Sequence, residues 1–315
     1  MYHTISQLDN RRFLAIGGYS GTHVKSVEAF DSTTGIWTYV ASMDAARFSH
    51  TASVLDDGTV LVVGGRNDTT VLDSTEIYNP ITNKWITVSG MKDARCSHSV
   101  TKLNNGKILV AGGMSNQFFL SGTELFDPVA KTWTVVRSMN NARNRHQASK
   151  LADGTVLVSC GYDSSNLVST ELYDPTTDLW TTVGDIGVGR EDHTASVLND
   201  GSVLLAGGHD SSKILMDTWL YNPGLKSWTR VGDMNTGRYG HTATVEANGN
   251  LLVTGGRRGS TLNSVELYNP LTMSWINLPN MTYARSDHTA SVLENGKVLL
   301  AGGADTTVLK TYELY

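Results

Sequence analysis

The sequence predicts an all-β fold, a seven-bladed β-propeller of four-stranded antiparallel blades, and three observations carry that prediction. An apolar phrase closed by paired glycines, Val60-Leu-Val-Val-Gly64-Gly65 in its second copy, is written seven times, with starts at Phe13, Val60, Ile108, Val156, Val203, Leu251 and Val298, Cys160 replacing the first glycine in the fourth copy. The copies follow one another at steps of 47 or 48 residues. Each unit holds four short strand-like runs separated by turn residues. A fixed period of this length marks a repeat architecture, and four antiparallel strands per period make one propeller blade.

The second unit, 47–91, shows why each element is expected. His50-Thr-Ala-Ser-Val-Leu55 is a first strand, a, and Asp56-Asp-Gly-Thr59 turns it, since Asp-Gly supplies the positive φ of a tight hairpin. Val60 to Val63 is strand b, apolar on both faces as befits a strand sandwiched between neighbouring blades. Gly64-Gly65 ends it, and a variable loop from Arg66 to Asp73 leads to strand c, Ser74-Thr-Glu-Ile-Tyr78. Asn79-Pro80 stops that strand, because proline lacks the ladder donor. Strand d is Trp85-Ile-Thr-Val88, whose tryptophan suits the wide gap at the rim, and Met91 closes the unit.

The units are 3–43, 47–91, 95–139, 143–186, 190–234, 238–281 and 285–315, read as one domain over 1–315. The last contains strand c, Tyr312-Glu-Leu-Tyr315, without a tryptophan strand, so blade seven is expected to have three strands and an open outer edge at Thr311–Tyr315. A six-bladed ring with a loose seventh repeat is the alternative.

A hydrophobic fraction of 40% with 17% charged residues describes a soluble globular chain. The net charge of -5 leaves no basic stripe and argues against nucleic acid as a partner. No apolar run approaches a membrane span, and no signal-peptide core precedes the first repeat; the compartment stays open. Two cysteines, Cys96 and Cys160, cannot form a disulfide framework and are expected as free thiols, with proximity between them left open. The expected state is a monomer. Asn67-Asp-Thr69 and Asn280-Met-Thr282 are glycosylation tripeptides that arise often by chance.

The paired glycines, spaced Tyr78 and spaced Trp85, with equivalents in almost every unit, resemble the kelch repeat. The phrase His50-Thr-Ala-Ser-Val-Leu, then Asp-Gly, then Val-Leu-Val, is similar to the central propeller of galactose oxidase and its relatives. That resemblance implies seven blades around a central channel. It also raises copper-radical chemistry, which in that group uses a Tyr-His pair, a second tyrosine cross-linked to a cysteine, and a histidine outside the repeats. Tyr2-His3 matches the Tyr-His pair. No second tyrosine stands before a strand a histidine, and Cys96 has no identifiable tyrosine partner, so the ligand set is incomplete. No catalytic residue, metal or cofactor is therefore assigned.

Histidine opens every strand a, as in His50 and His98, and Gly64, Gly65, Trp85, Arg95, His98 and Glu124 typify the positions read as structural. Seven identically placed imidazoles spread around a channel do not converge as metal ligands must, so bonds to the neighbouring blade's backbone are expected instead. Arginine precedes that histidine by three residues in six units, and glutamate precedes the strand c aromatic by two in six. Buried bidentate Arg–Glu pairs between blades are expected. Unit five has Trp219 in place of the glutamate, which predicts one arginine with a substitute partner or none.

Function is expected where the seven copies disagree. Strand direction puts the b–c and d–a loops on one face. Just ahead of the ring histidine that face carries Phe48, Cys96, Arg145, Glu191, Asp192, Tyr239 and Asp287. Just after the glycines it carries Tyr19, Arg66, Met114, Tyr162, His209, Arg257 and Ala304. Aromatic, arginine and acidic side chains on loops of a rigid scaffold suit recognition. Arg66 and Arg145 on one side, with Glu191, Asp192 and Asp287 on the other, are expected to polarise the face. Phe118-Phe119 could anchor a partner or pack inward. The first reading is a non-catalytic scaffold that binds a protein or peptide. The alternative is a carbohydrate-binding or vestigial copper-oxidase-type domain, which requires an aromatic platform or a Tyr/His/Cys cluster beside Tyr2-His3.

Overall fold

The computed structural model describes residues 2–315 and contains strands and turns, with no helix among those residues. Seven antiparallel sheets follow the repeats: six of four strands and a last one of three, each with its strands side by side in chain order. By internal contacts the chain divides into two compact units, residues 2–144 and residues 145–315. Blades one to three lie in the first unit. The strands of blades four to seven lie in the second, with two extra two-stranded hairpins, Tyr162–Asp163 with Ser165–Asn166 and Arg257–Arg258 with Ser260–Thr261.

Blade two consists of Thr51–Val54, Val60–Val63, Thr75–Asn79 and Lys84–Val88, paired in the registers Ala52↔Val62, Leu61↔Ile77 and Tyr78↔Trp85. Strand a starts one residue later than the sequence suggests, because Ser49 is left-handed (φ 51) and the chain becomes extended only beyond His50. All four residues of strand b are fully buried. Their alternation explains why: Val60 and Val62 pack with Leu14 and Ile16 of blade one, while Leu61 and Val63 pack with Ile108 and Val110 of blade three. Burial of each such side chain contributes about 1.5–3 kcal/mol.

The glycine pair is required by close approach as well as by backbone angle. A Cβ on Gly65, at φ 90, would stand 2.8 Å from the His50 Cβ and 2.9 Å from the Phe48 carbonyl oxygen. Neither neighbour is a flexible side-chain end, so Gly65→Ala is expected to cost more than about 2 kcal/mol. Urea denaturation checks this; a loss below about 0.5 kcal/mol would show that the loop relaxes freely.

The tryptophans on the outer strands stack on the strand c aromatic, as Trp85 does on Tyr78 at 5.0 Å, and also tether neighbouring blades. Trp85, Trp133 and Trp275 donate their indole N–H to the carbonyls of Ala41, Ser89 and Gly232, each two residues before the methionine that closes the preceding repeat. In blade seven the strand Tyr312–Leu314 pairs on one side only, and Tyr312 and Leu314 are exposed. There the corresponding carbonyl, Pro279, two residues before Met281, accepts instead from the Tyr315 hydroxyl at 2.8 Å.

The recurring charges are paired. Arg47 donates to Glu76, Arg95 to Glu124 at 2.8 Å and Arg238 to Glu266 at 2.6 Å, all buried. In blade five Asp217 replaces the missing glutamate and receives both Arg190 amino groups, at 3.2 and 2.7 Å. Two features differ from expectation. Each of these pairs lies within one blade, and in blades two, three and six the contact uses a single arginine nitrogen. The glutamate has further work, because its oxygens also accept backbone N–H groups of the incoming d–a segment, Asp44 and Ala45 on Glu76.

Candidate functional site

The residues expected at the loop face sit on a repeated backbone frame. In five blades the residue after the glycine pair forms a short antiparallel bridge with the residue two places before the ring histidine. The bridged pairs are Phe48 with Arg66, Cys96 with Met114, Glu191 with His209, Tyr239 with Arg257, and Ser286 with Ala304. Phe48 and Arg66 exchange N–H···O bonds of 3.0 Å in both directions. Two sets of variable positions, read separately in the sequence, are thus partners in space. Tyr19 bridges His23 instead, and Tyr162 pairs with Asn166 in its own hairpin.

Between each bridge and its histidine lies a left-handed residue: Tyr2, Ser49, Ser97, Arg145, Asp192, Gly240 and Asp287, with φ from 50 to 61. Several form a backbone chain from blade to blade. Ser49 N–H donates to the Tyr2 carbonyl and Ser97 to Ser49; Gly240 donates to Asp192 and Asp287 to Gly240. Sequence reasoning missed this column, although Gly240 aligned with two serines and two aspartates was a usable signal, since such residues tolerate left-handed backbone.

The ring histidines are tied down one residue further on. His50 Nε2 meets the Thr4 hydroxyl at 3.0 Å, His98 meets Thr51 at 2.8 Å and His241 meets Thr194 at 3.0 Å. In each case this partner is the neighbouring blade's side chain, and His50 also hydrogen-bonds the backbone of Ile16 in that blade. Burial pushes His50 and His241 down to about 3, and His3 down to about 4. These are neutral, bonded imidazoles.

Within residues 2–144 the loop residues form an aromatic group. The His23 ring stacks on Phe48 at 4.5 Å and an interplanar angle of 7°, and His23 pairs with Asp68 through Nδ1. Tyr19 lies 5.3 Å from His23 and 6.3 Å from Phe48, and Tyr2 lies 6.1 Å from Phe48. Arg66 places its guanidinium 5.6 Å from the Phe48 ring centre, an arrangement attracted by the ring's quadrupole. Next to Arg66 is a groove of about 140 Å³, lined also by Val71, Met114 and residues 115–119. Phe118 is 67% exposed there, while Phe119 is half-buried and bridges Met114. Of the Phe-Phe pair, one ring is thus turned outward and the other is partly covered.

Within residues 145–315 the loop residues form a charged network. Arg145 donates to Glu191 at 3.2 Å and lies 3.5 Å from Asp192, whose same oxygen is 3.4 Å from His209 Nε2. The Asp192 hydrogen bond raises the His209 pKa against the opposing effect of burial. Tyr239 meets the His209 ring edge-on at 4.7 Å. Further on, Arg257 donates to Ser286 at 2.7 Å and lies 3.8 Å from Asp287, whose pKa is raised by burial and partly restored by that arginine. The expected segregation of charge is corrected here: Arg145 sits among the acids it was assigned to oppose, so the network neutralises itself. Glu191, Asp192 and His209 bring ligand atoms within 4.8 Å of one another, the one such group of three among the described residues. Arg145 already sets a positive charge against Glu191 and Asp192.

Cys96 and Cys160 are buried free thiols, and Cys96 donates its thiol to the Met114 carbonyl at 3.6 Å.

Seven blades, marked in almost every unit by Gly-Gly, a strand c aromatic and a tryptophan, with a paired-loop face, define a kelch-type β-propeller. More particularly, the chain belongs to the Attractin/LZTR1 beta-propeller family, whose model matches residues 16–266. Among solved structures it is similar to a fungal alcohol oxidase of the AA5 family described in complex with copper. That match has a TM-score of 0.81 at 17% identity and covers 98% of this chain and 73% of the oxidase. It is also similar to YjhT, with a TM-score of 0.70 at 18% identity, covering 88% of this chain and 97% of YjhT. No curated protein sequence matches it.

Proposed function

We propose that this chain is a non-catalytic binding module that engages a protein or peptide through its b–c and d–a loops. The observation that carries this reading is the bridged pairing of variable residues on an otherwise repeated frame. Phe48/Arg66, Glu191/His209 and Tyr239/Arg257 differ from one another in chemistry while sharing one backbone arrangement. A rigid scaffold with varied side chains offers recognition at low ordering cost. The non-catalytic part is supported by the donors near Tyr2-His3. Their surroundings are aromatic, Cys96 hydrogen-bonds a carbonyl, and the convergent His/carboxylate group lies at Glu191, Asp192 and His209.

A second reading is favoured by one specific feature. The Tyr2, Tyr19, His23 and Phe48 group beside Tyr2-His3 supplies the kind of aromatic surface on which a sugar ring can lie. Three measurements on the purified chain separate the readings: metal analysis, a galactose oxidation assay, and titration with galactose and other sugars. Neither stoichiometric copper nor turnover is expected, and no saturable sugar binding. Copper with turnover overturns the non-catalytic reading; sugar binding lost in Phe48→Ala establishes the second.

A further inference from the structure

We propose that the groove beside Arg66 is a subsite for a peptide acidic side chain followed closely by a bulky apolar one. This deepens the binding-module reading and rests on it. Arg145 and Arg257 reach acidic side chains within 3.8 Å or less, but no carboxylate pairs with Arg66 among the described residues. Its guanidinium is nevertheless positioned, because the Phe48 ring supports it and its backbone is bridged on both sides, to Phe48 and to Val71. A positioned, exposed arginine with unused donors is complementary to a carboxylate, which it can bind through two parallel hydrogen bonds.

The adjoining wall carries Val71, Met114 and Phe118 among the polar residues 115–117, and it is held in place. Val71 is buried, Met114 is half-buried, and Phe118 projects 67% exposed beside them. Asn116 fixes the two loops that form this wall. Its side-chain oxygen accepts the Val71 N–H at 3.0 Å, and its amide donates to the Thr70 hydroxyl at 2.9 Å. Those polar groups satisfy one another and hold the loops together. One free cation beside one exposed aromatic matches a ligand that joins a carboxylate to an apolar side chain. An extended peptide carrying Asp or Glu next to Leu, Ile, Phe or Trp has that chemistry.

The test is selection of a displayed library of linear peptides, each about a dozen residues long, on the purified chain, followed by affinity measurements on the enriched sequences. Enriched peptides are expected to pair an acidic with a bulky apolar residue and to bind more weakly as salt rises. Arg66→Glu should weaken them by about tenfold or more, Phe118→Ser should weaken them comparably, and Lys84→Ala, on an exposed outer strand, should leave them unchanged. Enriched peptides without acidic residues, or with affinities indifferent to Arg66→Glu, overturn the proposal. Peptides that depend on Arg145 or Tyr239 overturn this subsite while sustaining the binding-module reading, whereas failure to enrich any peptide removes both. Glucuronate alone is expected not to bind; saturable binding of glucuronate that requires Arg66 would assign the site to acidic sugars and overturn the peptide assignment.

Discussion

Glu124→Ala is expected to destabilise the fold by about 3–5 kcal/mol, the range for removing one partner of a buried ion pair. Arg95 and Glu124 are 0% and 1% exposed, so truncation leaves a guanidinium without compensation and without water. Arg95 keeps its bonds to the Gly112 and Gly122 carbonyls, at 2.9 and 2.8 Å, but loses its only buried counter-charge. The backbone N–H groups of Lys92 and Asp93 lose their acceptors at the same time. Those amides belong to the segment arriving from blade two, so the carboxylate joins one blade's exit to the next blade's third strand. Blade seven supplies an internal comparison. Arg285 and Glu313 stand 3.6 Å apart and the Glu313 side chain is 16% exposed, so Glu313→Ala should cost distinctly less. Urea denaturation of the two variants checks the order; equal losses, or a loss under 1 kcal/mol for Glu124→Ala, would sink this account of the pair.

The repeat made most of the fold legible. Strand order, the Gly-Gly stops and the three-stranded seventh blade all follow from period and local chemistry, because each blade faces the same packing problem. The break at Trp219 also foretold an altered arginine partner, and Asp217 supplies it, with Trp219 itself donating to that carboxylate at 2.6 Å. What stayed hidden depends on how side chains meet. Nothing in the sequence says that Glu76 spends its oxygens on backbone amides, so the pair was expected to be bidentate. The charge network failed for the same reason: Arg145 and Glu191 belong to different repeats, and only the folded loops bring them together. His23 lies beyond the glycine-adjacent positions compared between repeats, and its stacking on Phe48 spans 25 residues of chain. The left-handed column was visible only as a mixture of Ser, Asp and Gly, a signal easily masked by Tyr2 and Arg145 in the same positions.

Between pH 7 and pH 5, His50 and His241 are each expected to withdraw about 2 kcal/mol of stability. Burial, reinforced by the nearby Arg47 and Arg238 charges, pushes both imidazoles down to about 3, while an unfolded chain protonates them near the ordinary 6.5. Below 6.5 the unfolded state therefore binds protons that the folded state refuses. Their contribution is fully present above that value and is lost progressively as the pH falls toward 3. His209 has the opposite sign: Asp192 raises its pKa, so its contribution is present below 6.5 and fades as pH rises through the raised value. That pair is partly solvated and carries little weight against two fully buried rings. Urea denaturation at pH 7, 6 and 5 measures the slope, and His241→Gln, which cannot take up a proton, should reduce the loss over that range by about 2 kcal/mol. The Thr194 hydroxyl that meets His241 at 3.0 Å can still hydrogen-bond a glutamine carboxamide, so the variant tests titration more than packing. A pH-independent midpoint in the parent chain would mean that these imidazoles accept protons in the folded state, contrary to their burial between blades.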